Sequence, residues 1–215
     1  MPLKLYFHPL ASFCWKALIA LYENETPFEP HIVNLGDENE RAEFLRLWPI
    51  GKFPVLRDEA KGLTIPESSI IIEYLASHYP GRVQLIPDDV NRARDVRLRD
   101  RIFDLYIHEP MQRIVADRLR PADRKDPFGV DEARSRLQTG LDVIDSDMAS
   151  RTWAVGGTFT MADCAAAPAL FYANQVMPFG NTHRNATRYF DQLMARPSFA
   201  RVVEEAKPYF ALFPS

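Results

Sequence analysis

Cysteine is nearly missing from this chain of 215 residues: only Cys14 and Cys164 occur, in unrelated local contexts. So sparse a pair cannot form a disulfide framework, and a reducing compartment is the expectation. A basic surplus is missing too. The chain carries 26 Lys and Arg against 29 Asp and Glu, a net charge of −3, so nucleic acid is not expected as a partner. The arginines between Arg92 and Arg101 are interleaved with Asp95 and Asp100, which reads as a solvated helix face rather than a basic stripe. No apolar run reaches membrane-spanning length, and the opening Met-Pro-Leu-Lys-Leu-Tyr lacks the apolar stretch of a secretory leader. Cytoplasmic residence without a membrane is therefore expected, and the sequons at Asn24 and Asn185 carry little meaning. His8, His31, His78 and His183 are scattered, without HxxxH or CxxC spacing, so no metal is expected. Gly51-Lys52 has neither the preceding glycine nor the following serine or threonine of a phosphate loop.

What is present is 47% hydrophobic residues, enough for a real core. Leu3, Leu5 and Phe7 alternate with Lys4 and Tyr6, the period of a strand. Ser12 to Glu23 repeats apolar residues at helical spacing. Phe28 to Val33 suits a second strand and Glu38 to Leu47 a short helix with an acidic start. Pro54-Val55-Leu56 and Leu63-Thr64-Ile65 are brief strands around a turn, and Glu67 to Tyr79 is a helix. The order is βαβ, a short helix, then ββα; the first part requires a right-handed crossover to a parallel strand, and the close ββ pair a hairpin. Pro80 to Asp89, with two prolines, a glycine and two aspartates, reads as a linker (81–89) between domains at 1–80 and 90–215. Beyond it the pattern is helical throughout. Val90 to Leu119 forms one long helix bent or broken at Pro110. Asp131 to Met148, Thr160 to Val176, Arg184 to Ala195 and Ser198 to Ala206 follow.

Two short motifs bear on chemistry. In Gly51-Lys52-Phe53-Pro54-Val55-Leu56 the proline precedes a strand, where it takes no place in the ladder; a cis bond there turns the Phe53 peptide group outward, able to pair with an extended peptide ligand. An ordinary turn before an edge strand is the alternative. Pro66-Glu67-Ser68-Ser69 opens a helix whose N-terminus offers free N–H groups to a carboxylate, with a Ser68 hydroxyl and a Glu67 carboxylate able to meet an ammonium group. Plain capping is the alternative there.

Together, and in this element order, these motifs resemble the glutathione S-transferase superfamily. The resemblance implies a thioredoxin-like α/β N-terminal domain (βαβ-α-ββα) followed by an all-α helical domain. It implies glutathione as co-substrate: Phe53 and cis-Pro54 at its cysteinyl backbone, Glu67 and Ser68 at its γ-glutamyl end, and Lys52 near its glycine carboxylate. Thr160 to Asp163 looks like the family's capping box on its buried central helix, a structural feature worth about 1 kcal/mol per hydrogen bond. The long helix would line the electrophile pocket, with Ile107, His108 and Met111 as a mixture of core and pocket wall, and the protein would be a homodimer.

For activation of the sulfur the candidates are Ser12 and Cys14. Lowering a thiol pKa by two units needs about 2.7 kcal/mol. A hydrogen bond to a charged group supplies roughly 1.5–3 kcal/mol and a helix N-terminus roughly 0.3–1, so Ser12 suffices and no histidine is required. Ser12 as a mere N-cap, with Ala11 at the catalytic place, is the alternative. Cys14, in a first helical turn, is the rival nucleophile; Ala17 stands where a dithiol motif needs its second cysteine. Tyr6 on the first strand is read as packed. The expected function is conjugation of glutathione to a small hydrophobic electrophile. The alternatives are a thiol reductase using Cys14, a zeta-like isomerase suggested by Cys14-Trp15, and a non-catalytic glutathione-binding module.

Overall fold

A computed structural model describes residues 2–214. The strands β1 (Leu3–Phe7), β2 (Glu29–Ile32), β3 (Val55–Asp58) and β4 (Leu63–Pro66) form one sheet in the order β2-β1-β3-β4. β2 runs parallel to β1, with Leu5 opposite Pro30, and β3 antiparallel to it, with Leu5 opposite Leu56. β1 buries Leu3, Leu5 and Phe7 on one face, the consequence of its two-residue alternation. The connection from β1 to β2 is α1 (Ser12–Glu23); α2 (Glu38–Leu47) precedes β3, and α3 (Ser68–His78) follows β4. α2 starts on Asp37, whose side chain accepts from the N–H groups of Asn39 and Glu40, the usual use of an aspartate N-cap.

The rest of the described chain is helical. α4 (Val90–Ile102) runs through a π-helical turn (Phe103–His108) into α5 (Glu109–Arg118); α6 (Pro127–Met148), α7 (Met161–Val176), α8 (Arg184–Met194) and α9 (Pro197–Ala206) complete it. The long helix expected over Val90 to Leu119 is thus not broken at Pro110 but enters it through a π-helical turn. Proline at 110 has no N–H to give the carbonyl of Tyr106, and the chain widens into i→i+5 geometry immediately before it. The α6 helix starts four residues earlier than expected, because Asp126 caps it, accepting from the Gly129 N–H at 2.9 Å, and Pro127 takes the first helical position, where its missing donor costs nothing.

The core is continuous between the sheet and the helices. α1 packs on α3 on one side and on α7 and α9 on the other, so its residues from Cys14 to Leu21 are all buried. α7 is lined with Ala165, Ala166, Ala167, Ala169 and Ala173, all buried, and these small side chains let neighbouring helices approach. Trp15 fills the space left, its ring 5.0 Å from those of both Phe171 and Tyr172. The Thr160–Asp163 box is formed: Asp163 accepts from the Thr160 N–H at 2.8 Å and also from Ala154 N–H and Tyr189 Oη. This arrangement fixes the start of α1, with Ser12 on it, at the seam between the sheet and the helices.

Candidate functional site

Three backbone features converge on that seam. The Phe53–Pro54 peptide bond is cis, with Pro54 buried and Phe53 half-buried. The Phe53 ring stacks on His8, centroids 6.0 Å apart. At the entry to α3, Glu67 has φ 68°, a conformation costing a non-glycine residue on the order of 1–3 kcal/mol and found where surrounding structure holds a ligand-facing group in place. Its carboxylate is exposed while Ser68 and Ser69 behind it are buried. At the entry to α1 the N-cap is Ala11 in extended conformation, so Ser12 is the first helical residue and its hydroxyl is not used as a cap.

Two adjoining cavities connect these features. One, of about 530 Å³, is lined by Ser12, Phe13, Lys52, Phe53 and Met111, with Tyr172 and Phe213 closing it. The other, of about 240 Å³, is lined by Phe13, Glu67, Ser68, His108 and Gln112. The larger is apolar apart from Ser12, Lys52, Gln112 and the Tyr172 hydroxyl, which is already donated to the Leu10 carbonyl at 2.7 Å. Of the three residues expected to divide between core and electrophile-pocket wall, Met111 lines the larger cavity. Ile107 is fully buried and packs toward Gly140 of α6; one turn of helix places it on the core side, so it is no wall. His108 is 2% exposed and lines the smaller cavity.

His108 is also hydrogen-bonded through Nε2 to Ser12 Oγ, a contact across 96 residues that the sequence gives no means of seeing. Its ring meets that of Phe13 edge to face, with centroids 4.1 Å apart. Burial, and after it the charge of Lys16, pull its pKa from 6.5 down to about 3, so the imidazole is neutral. Cys14 is enclosed completely and burial pushes its thiol up, the opposite of what a nucleophilic cysteine requires. Cys164 is buried as well.

A second departure from the sequence reading lies behind Ser69. Asp100 does not belong to a solvated face: it is 1% exposed and pairs with Lys16 Nζ at 2.6 Å. Lys16 also contacts Asp104 and Ser69, each at 2.8 Å, and Ser69 is bonded to Asp100 and to Arg101. A lysine alone in the apolar run from Cys14 to Leu21 was the available signal, since a buried cation needs a buried partner. Among the described residues no group of three or more His, Cys, Asp or Glu is placed to hold a metal. No helix among them is long and apolar enough to cross a membrane.

Comparison with known proteins decides the family. The glutathione S-transferase N-terminal domain matches residues 5–83 and the C-terminal domain residues 127–205. The chain belongs to the glutathione S-transferase superfamily. It is 27% identical over 191 residues to glutathione S-transferase GstB of Escherichia coli K12, covering 87% of this chain and 91% of that protein. Among solved structures it superposes on a glutathione S-transferase of Methylobacterium radiotolerans, in complex with glutathione sulfonate, at a TM-score of 0.81 with 28% identity and 94% of each chain covered. A glutathione S-transferase of Methylobacillus flagellatus with glutathione bound gives a TM-score of 0.85 at 25% identity, covering 93% of this chain and 98% of that one. The superfamily fold, a thioredoxin-like domain followed by helices, is the one described above.

Proposed function

We propose that this protein is a glutathione transferase of the serine type, holding glutathione along the seam and using Ser12 to stabilise its thiolate for attack on an uncharged, apolar electrophile. The observation that carries the reading is the convergence of the cis-Pro54 loop, the strained Glu67 entry to α3 and Ser12 at the entry to α1 on two adjoining cavities. The Phe53 peptide group would pair with the cysteinyl backbone, Glu67 with the γ-glutamyl ammonium, and Ser68 and the α3 N-terminus with its carboxylate. Lys52, exposed at the rim, would meet the glycine carboxylate. Met111, Phe13, Tyr172 and Phe213 would then receive the electrophile, since the larger cavity offers apolar surface and no further charge. Relatives with bound glutathione and glutathione sulfonate support the same occupant here.

The chemistry asked of the protein is small. An O–H donor to the sulfur and the first turn of α1 together meet the roughly 2.7 kcal/mol that a two-unit drop in thiol pKa requires; holding the two reactants together supplies the rest. The enclosure of Cys14 argues for Ser12 over a mixed-disulfide reductase or a cysteine-based isomerase. The domain division at 1–80 and 90–215, cytoplasmic residence and a homodimer complete the proposal. Exposed Leu105, Tyr106 and Val143, which line one surface cavity between the π-turn and α6, form an apolar face suited to a second copy. The test is conjugation of glutathione to a chlorinated nitrobenzene, with the mass measured by light scattering on the same samples. Ser12→Ala is expected to lose about 10–100-fold in kcat/KM at neutral pH, while Cys14→Ala keeps the parental rate. Equal activity in Ser12→Ala would falsify the serine assignment, and a monomer mass the dimer.

A further inference from the structure

The Ser12 hydroxyl has one proton, and where it points depends on its neighbour. His108 Nε2 meets Ser12 Oγ, while Nδ1 is buried with no hydrogen-bond partner among the described residues. The ring is neutral, so one nitrogen carries a hydrogen and the other does not. With the hydrogen on Nδ1, a buried N–H would stand unpaired at a cost of roughly 1–3 kcal/mol, and the Ser12 proton would be spent on Nε2. With the hydrogen on Nε2, the unpaired group is an acceptor, the less rare kind of orphan in protein interiors. Ser12 Oγ then accepts, and its own proton is free for the cavity.

The geometry points to His108 as a positioning residue: its Nε2–H donates to Ser12 Oγ, aiming the Ser12 hydroxyl at the glutathione sulfur and strengthening it as a donor. This role rests on the proposed function of Ser12. A donor that itself accepts a hydrogen bond is polarised in the same sense, and the gain appears in the thiolate alone, because the neutral thiol accepts more weakly. No proton passes to His108; the thiol proton leaves to solvent and Ser12 keeps its own. The histidine is held for this task on two sides, by the Phe13 ring and by the π-helical turn that ends on it. π-Turns recur at functional positions in helices. The charged groups facing it are Lys16 of α1, Asp104 of the π-turn, Arg101 of α4, Glu67 before α3 and Glu109 of α5. All of them are unchanged in the variants that follow.

The test titrates the ultraviolet absorbance of the thiolate of bound glutathione in the wild type, His108→Gln and His108→Phe, with kcat/KM over the same pH range. In His108→Phe the bound thiol pKa is expected to rise by about half to one unit, which is about a 3–10-fold loss of kcat/KM below that pKa. The rates should converge above it. His108→Gln, which keeps an N–H donor, should recover most of the shift. A merely structural role would lower binding or stability without moving the thiol pKa. An unmoved pKa in His108→Phe overturns the role of His108. So does a proton on Nδ1 in the ¹⁵N spectrum of the wild type, a measurement independent of whether any variant folds. If the wild type binds glutathione but forms no thiolate, the reading of Ser12 itself falls, and the positioning role with it.

Discussion

At the residue scale, neutrality is the property that matters most for His108, and it has a consequence apart from catalysis. A histidine whose folded pKa is pulled from 6.5 to about 3 takes no proton in the folded state across that window, whereas the unfolded chain does. Its contribution to stability is therefore whole above pH 6.5 and is lost as pH falls toward 3, by up to about 1.4 kcal/mol per unit. Between pH 7 and pH 5 the wild type should lose about 2 kcal/mol more than His108→Gln, read from urea midpoints at the two pH values. Parallel losses in the two proteins would mean that the imidazole is protonated in the fold. Residues also mark the limit of sequence reading at this site. Glu67, Ser68, Phe53 and Pro54 were legible because each belongs to a short contiguous motif. The pairing of Ser12 with His108 spans 96 residues, and nothing local to either position announces it. Cys14 shows the same limit: its place in a first helical turn was visible, but the burial that raises its pKa comes from distant helices.

At the element scale, most strands and helices were legible to within a residue or two, since the alternation in β1 and the caps of α2 and α7 are local signals. The exceptions were the start of α6, four residues earlier than expected, and the stretch over Val90 to Leu119, where proline was seen as a perturbation but the π-helical turn before it was not. Pro110 leaves the carbonyl of Tyr106 without its ordinary donor, and that carbonyl turns toward α6. There it meets Gly140, where an added Cβ would lie 2.4 Å from the Tyr106 oxygen and 2.9 Å from Ile107 Cδ1. Glycine at 140 is thus demanded by a helix contact and not by backbone conformation. Replacing it by alanine should raise helix propensity by about 1 kcal/mol yet force apart two packed helices at a cost of about 1–3 kcal/mol or more. We expect Gly140→Ala to be destabilised by chemical denaturation despite the better helix former. Gly157→Ala, with open space around its Cβ position, should stay within about 0.5 kcal/mol of wild type. A stabilised Gly140→Ala would mean that the π-turn is not pressed against α6.

At the scale of the whole molecule, the sheet and the helices are tied by buried polar contacts as well as by the core. Glu23 of α1 pairs with Arg196 at 2.6 Å, and at the opposite end of the interface Lys16 pairs with Asp100 and Asp104. The second cluster is the more consequential, because both Lys16 and Asp100 are 1% exposed and Ser69, their shared partner, is the neighbour of Ser68 at the proposed γ-glutamyl subsite. Two carboxylates inside a core are tolerable only with their cation; removing Lys16 leaves Asp100 and Asp104 with the half-exposed Arg101 at 3.4 and 3.9 Å as their remaining counter-charge, at about 3–5 kcal/mol. Lys16→Met, close in shape, should therefore cost that much in urea unfolding. Lys16→Met combined with Asp100→Asn should recover part of it, since the second change removes a charge the first has orphaned. The loss should also reach glutathione: with Ser69 freed from Lys16, the start of α3 loosens, and KM for glutathione should rise more than kcat falls. An additive double mutant, or a Lys16→Met protein as stable as wild type, would mean that the cluster is solvated in solution and that apolar packing of α1 on α7 and α9 alone joins the two halves.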